Sequence, residues 1–523
     1  MKAKEIHWAD LAAENLIKIE DKNDYVCAAG ITPSGTVHIG NFREVITVDL
    51  VVKALKDKGK KVRFIYSWDD YDVFRKVPKN MPNQELLNEF LRKPIVDTPD
   101  TFDCHNSYAK HNEKEFEKML SYVGIKTEFI YQSKKYRNCD YAENIKIAMQ
   151  NKDNIVAILN KYRKELLGRD WYPASIFCEK CGKDDVKIIN YDNNYKVAYE
   201  CQLCKFNDTF DIRKKGIIKL VWRCDWPMRW NYEKVDFEPG GKDHSTVGGS
   251  FDTGKEIVKI FKWKAPYYIM YDFISIKGKG GKISSSSGEV ITLNDVLEIY
   301  EPEIVRWLFA STRPNTEFAI SFDLDILTIY EEFDQNERLY FNKENTNKSE
   351  ELIKKEKRMY ELSLINLPKE QPLQPSIRTL VNLIQVHEFD EKAVLNYYKE
   401  AIKNEFDKKR VANRIKCISN WIKKYAPEEF KFKINSEAPE IALKENEKKA
   451  IRKLIETLKT KKLNDEALHE EFYSIMKEAN IETKNFFNLV YNILISKEKG
   501  PKLAGFINTV GKKRVVKLLK KAL

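Results

Sequence analysis

The loop TPSGTVHIGN, residues 32–41, is the first segment whose residue types could do chemistry. It connects a predicted buried strand to a predicted helix, where backbone N–H groups and the helix dipole favour an anion. Gly35 and Gly40 allow a phosphate to approach the backbone, and His38 adds a side-chain donor. The alternative is a structural turn whose histidine only satisfies a nearby carbonyl. We therefore treat this loop as a candidate phosphate site.

A second candidate phosphate site begins 244 residues after His38. Lys282 opens the run Lys-Ile-Ser-Ser-Ser-Ser, which glycines at positions 278, 280, 281 and 288 surround. The glycines add mobility, and a lysine carries a compact charge on a flexible stem that could reach a triphosphate. The alternative for this segment is a solvated flexible loop.

Four cysteines have the spacing of a zinc ribbon, with two C-x-x-C pairs separated by 19 residues. They are Cys178, Cys181, Cys201 and Cys204. Four thiolates satisfy tetrahedral Zn²⁺, and a small β-module gains much of its stability from such an ion, so we expect a structural zinc. The alternative is four free thiols. The other cysteines are predicted to be ordinary thiols without ligand spacing: Cys27, Cys104, Cys139, Cys224 and Cys417.

Acidic and aromatic residues form two further clusters that could recognise a substrate. The first comprises Asp69, Asp70 and Asp72, at the carboxyl end of a predicted strand, where open α/β sheets bind ligands. The second comprises Trp222, Asp225, Trp226 and Trp230, just after the cysteine-rich segment. For each residue, the alternative is a structural salt bridge or a core aromatic.

The elements that must position these residues are readable from periodicity. Residues 25–30 and 61–67 are predicted strands, and the apolar spacing over 42–59 predicts the helix between them. A third strand is predicted over 127–133, so the first part of the chain should be a Rossmann-like parallel sheet. Residues 171–222 look like a small inserted β-module, and a strand-like run resumes over 266–276.

The rest of the chain is predicted to be helical. The segment PEIVRWLFAST from Pro302 has a proline and a glutamate at a helix start, and residues beyond 350 contain many periodic Lys/Glu-rich segments. Between residues 497 and 523 there are nine basic residues and one acidic residue. This concentration of positive charge favours binding of a polyanion, but an amphipathic helix with a solvated basic face explains the pattern equally well.

Length and composition exclude several classes of protein. At 523 residues, 42% hydrophobic and 33% charged, with a net charge of +12, the chain should fold into several soluble domains. It contains no long apolar run and no secretory signal, and its cysteines are odd in number. We therefore expect a cytoplasmic protein that does not enter a membrane.

The paired segments HIGN and KISSS, in this order and separation, resemble the signatures of class I aminoacyl-tRNA synthetases. Asn41 stands where the first motif often has His, and Ile283 where the second often has Met; neither departure removes His38 or Lys282. Within class I, the chain is most similar to the class I lysyl-tRNA synthetases. The segments that carry this resemblance are GITPSGTVHIGNFREV, SWDDYDVFRKVP, WRCDWPMRW, GGKDHSTVGGS and MYDFISIKGKGGKISSSSG.

The resemblance implies a two-step reaction in which ATP and L-lysine form lysyl-adenylate and pyrophosphate, and the lysyl group then passes to the terminal adenosine of tRNA(Lys). It implies catalytic roles for His38, Asn41 and Lys282. Implied ATP-binding residues are His38, Gly40, Asn41, Gly241, Asp243, His244, Lys282, Ser284 and Ser285. Implied amino-acid-binding residues are Gly30, Thr32, Asp69, Asp70, Trp222, Asp225, His244 and Tyr271. Mg²⁺ is expected with the triphosphate, although no dedicated ligand set is visible.

The implied architecture is an α/β Rossmann-like catalytic domain with a zinc-ribbon insertion and an all-α anticodon-binding domain, in a monomer. The expected segments are 1–170 and 223–300 for the catalytic halves, 171–222 for the ribbon, 301–350 for a helical linker and 351–523 for the anticodon domain. Three rival hypotheses stay open: a class I synthetase for another amino acid such as glutamate, a small-molecule adenylyltransferase, and a non-catalytic RNA-binding paralogue.

Overall fold

The computed structural model describes residues 6–277, 290–344 and 346–523. The chain forms two compact units. The first comprises Met1–Val296, Pro302–Ile320 and Asn342–Leu367, and the second comprises Leu297–Glu301, Ser321–Phe341 and Pro368–Leu523. The segment expected as one helical linker, 301–350, therefore contributes to both units.

A parallel sheet organises the first unit. Its opening elements are α1 (Trp8–Ile19), β1 (Asp24–Ile31), α2 (Ile39–Asp57), β2 (Lys61–Trp68), α3 (Gln84–Glu89), α4 (Tyr108–Tyr122) and β3 (Glu128–Tyr131). β2 pairs in parallel with β1 on one side and with β3 on the other. Bridges from Phe237 to Cys27 and to Tyr267, both parallel, extend the sheet beyond β1. The predicted β-α-β start of a Rossmann-like sheet is confirmed.

The middle of the first unit contains short helices and the inserted β-module. Its elements are α5 (Gln132–Arg137), α6 (Ala142–Gln150), α7 (Lys152–Asn160), β4 (Ala174–Ile176), β5 (Val186–Tyr191), β6 (Lys196–Cys201), β7 (Asn207–Asp211) and β8 (Ile218–Leu220). β5, β6 and β7 form an antiparallel meander, and β4 pairs with β8. Val197, Tyr199 and Phe210 are buried in the module.

The chain then returns to the parallel sheet and completes the first unit. The elements here are α8 (Trp222–Glu233), β9 (Gly240–Gly241), α9 (Ser250–Ile257), β10 (Met270–Tyr271), β11 (Ile274–Ile276), α10 (Leu293–Leu297), α11 (Pro302–Ser311) and β12 (Phe318–Ile320). The strand-like run 266–276 is divided into β10 and β11. The Arg43 guanidinium, from a distant part of the chain, donates to the carbonyls of Asp272 and Phe273 at 3.0 and 2.9 Å, at the point where the run divides.

The C-terminal part is helical, as predicted. It contains α12 (Asp325–Tyr340), α13 (Glu350–Ser363), α14 (Ile377–Val386), α15 (Glu391–Tyr397), α16 (Glu405–Lys424), α17 (Glu445–Thr460), α18 (Asp465–Ala479), α19 (Thr483–Ile495), α20 (Leu503–Val510) and α21 (Lys512–Lys521). Val515, Leu518 and Leu519 of α21 are buried in the core that α17 to α20 share. The basic C-terminus is thus an amphipathic helix with its apolar stripe inside.

Within the described residues, no helix has the length and hydropathy that a membrane span requires.

Candidate active site

A cavity of about 450 Å³ opens where β1 and β2 end and α2 begins. This is the edge at which open parallel sheets bind ligands. Eight of the residues that the resemblance assigns to the site line it together: Gly30, Thr32, His38, Asn41, Asp69, Trp222, His244 and Tyr271. Asp72 and Glu44 line it as well. The tertiary structure therefore gathers the first loop, the acids after β2 and the start of α8 around one space.

The first loop ends at the N-terminus of α2, with His38 at the N-cap position. The side-chain oxygen of Asn41 accepts the backbone N–H of His38 at 3.1 Å, so Asn41 stabilises the helix start as well as lining the cavity. The backbones of Thr292 and His38 form an isolated antiparallel β-bridge. Two first-turn N–H groups of this 19-residue helix are already bonded, that of Ile39 to the Ile291 carbonyl at 2.8 Å and that of Asn41 to the His38 carbonyl at 2.9 Å. The positive end of the helix dipole favours an anion in the cavity that His38 and Asn41 line.

Two glycines of the predicted site are required for packing. A Cβ at Gly40 would lie 2.8 Å from Nδ1 of His38, so only glycine leaves room for the imidazole ring at this place. A Cβ at Gly30 would lie 2.8 Å from the Ser67 carbonyl oxygen, at the point where β1 and β2 pair most closely. Gly40 therefore positions His38, and it is not itself part of the cavity lining.

Two of the lining carboxylates are already paired with buried cations. Asp69 accepts from Arg229 at 2.6 Å, and Asp72 accepts from Lys219 at 2.7 Å. Burial alone would raise the pKa of Asp72, but the charge and hydrogen bond of Lys219 hold it below its usual value. The hydroxyl of Thr32 also donates to Asp72, at 2.8 Å. These pairs fix the shape and charge of one cavity wall.

Asp70 and Asp225, predicted to contact the amino acid, do not line the cavity. Both are fully buried. Asp70 accepts the backbone N–H of Ser133 at 2.7 Å and its hydroxyl at 2.5 Å, which ties β2 to α5. Asp225 accepts the Tyr136 hydroxyl and lies 3.4 Å from Lys219. Their hydrogen bonds place both acids behind the lining. Local sequence spacing could not show which acids of each cluster face the cavity.

Glu44 lines the cavity and was not singled out from the sequence. Its two carboxylate oxygens accept the Gly30 backbone N–H at 2.8 Å and the Tyr271 hydroxyl at 2.6 Å. Burial raises its pKa to about 8. Sequence reasoning missed Glu44 because it is a single polar residue in the apolar pattern of a helix. Its position less than two helical turns after His38 could have indicated it.

Aromatic rings also line the cavity. Trp222 stacks on Trp226, with ring centroids 5.2 Å apart, and His244 lies 5.9 Å from Trp222. Burial lowers the pKa of His244, which favours its neutral form. The indole N–H of Trp222 donates to the Ser250 hydroxyl at 3.2 Å, so the ring orientation is fixed. Such faces suit an aliphatic chain or a cation.

The remaining predicted nucleotide residues divide into two groups. Gly241 belongs to β9, beside the ring of Tyr271, and Asp243 is exposed; neither lines the cavity. Lys282, Ser284 and Ser285 lie outside the described residues. The predictions for these three residues therefore stay predictions.

The four cysteines of the inserted module come together. All four Sγ atoms lie within 4.8 Å of one another, with Cys178 and Cys204 3.6 Å apart and Cys181 and Cys201 also 3.6 Å apart. Separations of this size match the edges of a tetrahedron of thiolates around a metal.

A second group of potential metal ligands contains Cys104, which the sequence analysis treated as an ordinary thiol. Ligand atoms of Asp100, Cys104, His105 and His111 all lie within 4.8 Å of one another. The Cys104 sulfur is 3.1 Å from Nδ1 of His105 and 3.2 Å from Nδ1 of His111. The spacing D-x₃-C-H-x₅-H could have revealed it, since this donor set is one that zinc accepts.

Comparison with known proteins identifies the family of this chain. A family model described as "tRNA synthetases class I (K)" matches residues 6–366, and one described as "Anticodon binding domain" matches residues 414–523. The chain belongs to the class I tRNA synthetases of this type, with a catalytic domain followed by a helical anticodon-binding domain.

Curated relatives span the whole chain. It is 54% identical over 523 residues to the lysine–tRNA ligase of Borrelia garinii subsp. bavariensis, covering 99% of both chains. It is 45% identical to the lysine–tRNA ligase of Treponema pallidum, covering 99% of this chain and 98% of that one. It is 43% identical to the lysine–tRNA ligase of Thermococcus kodakarensis, covering 98% and 99%. The predicted family is confirmed.

Proposed function

We propose that this chain activates L-lysine with ATP, releasing pyrophosphate, and transfers the lysyl group to the 3′-terminal adenosine of tRNA(Lys). The full-length likeness to lysine–tRNA ligases supports this function. The single structural observation that carries it is the cavity, in which the α2 N-terminus and His38 share one space with buried carboxylates and aromatic faces. One end suits a phosphate and the other suits an amino acid with a cationic side chain.

The chemistry requires alignment and charge stabilisation, with no covalent enzyme intermediate. The lysine carboxylate attacks the α-phosphorus of ATP, and negative charge grows on the phosphate oxygens. His38 and the positive end of the α2 dipole stabilise that charge at the α-phosphate, with Asn41 holding the helix start. Lys282 stabilises the departing pyrophosphate. Both reactants are held in one cavity, which removes most of the entropy cost of their encounter.

The other parts of the ATP site follow from the family resemblance. Ser284 and Ser285 accompany Lys282 on the phosphates, while Gly241, Asp243 and His244 lie on the ribose side. Mg²⁺ enters with the ATP phosphates, because this ion keeps most of its water and needs few protein ligands. We assign it no ligand in this chain.

The four cysteines fit a structural zinc. Their sulfurs are already at tetrahedral separations, and two of them, Cys178 and Cys201, are buried. When bound, the ion supplies stability to the β-module and takes no part in the transfer reaction.

The architecture proposal keeps the expected segments: catalytic halves over 1–170 and 223–300, a zinc ribbon over 171–222, a linker over 301–350 and the anticodon domain over 351–523. The protein acts as a monomer in the cytoplasm. Basic residues on the exposed face of α21 supply salt-dependent contacts to the tRNA backbone.

The decisive experiment is ATP–pyrophosphate exchange with each of the twenty amino acids, with and without total tRNA, in the presence of Mg²⁺. Lysine-selective exchange supports the proposal, and exchange only with tRNA present ties the anticodon domain to activation. Selectivity for glutamate would overturn the assignment, although three lining carboxylates would repel that side chain. Absence of exchange by a folded, tRNA-binding protein would favour the non-catalytic alternative.

A further inference from the structure

Arg43 lies about one turn into α2, and its side chain is buried. The two terminal nitrogens of its guanidinium donate four hydrogen bonds. One nitrogen donates to the carbonyls of Asp272 and Phe273 at 3.0 and 2.9 Å. The other donates to the carbonyls of Arg313 and Thr316 at 3.0 and 2.5 Å. One side chain therefore joins α2 to two segments that are distant in the sequence.

Each of these two segments leads into a strand of the same small sheet. Asp272 and Phe273 directly precede β11, and the turn from Arg313 to Thr316 precedes β12. The two strands pair in parallel along their whole length. Arg43 thus holds both strands, at the ends where they begin, against the start of α2.

The chemistry of the guanidinium explains why an arginine occupies this position. Its donors are arranged in a planar, rigid fork, so its two terminal nitrogens can serve two separate segments at once. All four described acceptors are carbonyls and none is a carboxylate. Burying a cation in this way is costly unless its hydrogen bonds are satisfied. The bonds fix where the two pairs of carbonyls lie relative to the helix.

The elements that Arg43 joins carry the two groups that the proposed function assigns to the phosphates. On one side, His38 is the N-cap of α2 and lines the cavity. On the other side, β11 continues to Lys277, whose N–H donates to the Ile320 carbonyl of β12 at 3.0 Å. Lys282 follows five residues later in the sequence, outside the described residues. Arg43 itself does not line the cavity.

We infer that Arg43 is a positioning residue, which aligns the His38 and Lys282 segments by holding β11 and β12 against the start of α2. The inference rests on the proposed function and extends it to the residue that aligns two of its groups. Arg43 touches no substrate in this arrangement and acts through Lys282. A displacement of about 1 Å in a group that stabilises a transition state can lower a rate on the order of 100-fold.

The test is a double-mutant cycle on the full-length protein with Arg43→Met and Lys282→Ala. Single-turnover formation of lysyl-adenylate, with ATP, lysine and tRNA present, measures the rate. With Lys282 intact, we expect Arg43→Met to lower this rate on the order of 100-fold. In the Lys282→Ala protein the same substitution should lower it less than about threefold, because the group that Arg43 positions has already been removed.

The dependence of the rate on lysine concentration gives a second readout. Because Arg43 acts on the phosphate groups, Arg43→Met should leave the concentration of lysine for half-maximal rate within about threefold of the wild-type value. Arg43→Lys keeps the charge, but its single nitrogen cannot serve both segments as the guanidinium does. We expect its rate to lie between those of the wild type and Arg43→Met.

Arg306→Met is the matched control. Arg306 is also a buried arginine of the first unit, and it donates to three backbone carbonyls, those of Val123, Leu362 and Ser363. None of these residues lines the cavity. Any loss of rate that Arg306→Met causes should therefore be the same with and without the Lys282→Ala substitution.

Thermal melts establish which variants fold, and the cycle is run with Arg43→Lys if Arg43→Met does not. Equal losses from the Arg43 substitution in the two backgrounds would show that Arg43 only stabilises the fold, and would overturn the inference. So would an unchanged rate with Lys282 intact, or failure of both Arg43 variants to fold. Failure of the proposed function looks different, because the wild-type protein itself would then form no lysyl-adenylate.

Discussion

The imidazole ring of His38 lies against the backbone of Gly40, so closely that a methyl group at position 40 would come within 2.8 Å of Nδ1. The glycine two residues after the histidine is therefore a packing requirement of the ring. It accounts in physical terms for the glycine of the His-x-Gly pattern at the start of α2. Under the proposed function, the ring position defines where the α-phosphate lies.

Gly40→Ala tests this relationship. We expect the added methyl to displace the His38 ring and to lower the rate of adenylate formation by about 100-fold, similar to His38→Ala, with little change in the melting temperature. Single-turnover adenylate formation is the measurement. Gly168→Ala is the control, since nothing lies within 4 Å of a Cβ at that position. Collapse of the melt in His38→Ala would instead show that His38 has only a structural role.

Lys282→Ala should lower turnover far more than it lowers lysine binding. A charge that acts on the leaving pyrophosphate contributes mainly in the transition state, so we expect kcat to fall about 100-fold or more and the KM for lysine to stay within a few fold. Lys277→Ala removes a similar charge five residues earlier and should leave kcat nearly unchanged. An unaltered kcat in Lys282→Ala would refute the assignment.

The zinc content of the purified protein should show that both groups of potential ligands bind a metal ion: the four cysteines of the β-module, and Asp100 with Cys104, His105 and His111. We expect two equivalents per chain in metal analysis of the purified protein, because each group places four donor atoms within 4.8 Å. Cys178→Ser should lose one equivalent and His111→Ala the other, whereas Cys139→Ser, which belongs to neither group, should lose none. A full zinc content in Cys178→Ser would contradict the predicted ribbon.

Lysine binding should release a proton near neutral pH. Glu44 lines the cavity with a pKa of about 8 and is mostly protonated in the free protein at pH 7; under the proposed function, a cationic amino acid beside it favours its ionised form. The groups that act on it are Tyr66, Asp69, Glu238, Tyr268 and Tyr271. Affinity should therefore rise with pH up to about 8 and level off above it. Calorimetry in two buffers of different ionisation enthalpy measures the proton, and Glu44→Gln should release none.

The second unit depends on a buried ionic cluster. Arg414, fully buried, donates to both oxygens of Asp334 at 2.8 Å and to Glu301 at 2.7 Å. Arg414→Met should lower the free energy of unfolding by about 3–5 kcal/mol, because two buried carboxylates lose their nearest partner and keep only Arg410, at 3.6 and 3.9 Å.

Urea denaturation followed by circular dichroism measures this loss. Arg378→Met is the control, since Arg378 pairs with Glu331 at 2.7 Å on the surface, where a pair contributes less than about 1 kcal/mol. If Arg414→Met and Arg378→Met lowered the free energy of unfolding by the same small amount, the buried cluster would not be what stabilises the second unit.

The helices and strands of this fold could be predicted where the deciding pattern lies within one short stretch of sequence. β1, α2 and β2 follow from periodicity, and the four cysteines from their spacing. The division of the run 266–276 into two strands was not predictable. It depends on Arg43, more than 200 residues earlier, which takes the carbonyls of Asp272 and Phe273.

The candidate site shows the same division. The sequence by itself determined the class of fold, the loop with His38 at the start of α2 and the cysteine cluster, because a helix start or a pair of closely spaced cysteines involves residues only a few positions apart. Only the tertiary structure decided which acids face the cavity. Asp69 is paired with Arg229 across 160 positions, and Glu44 has no such partner among the described residues. Charge balance in a buried site is a property of residues distant in the chain, so spacing alone does not contain it.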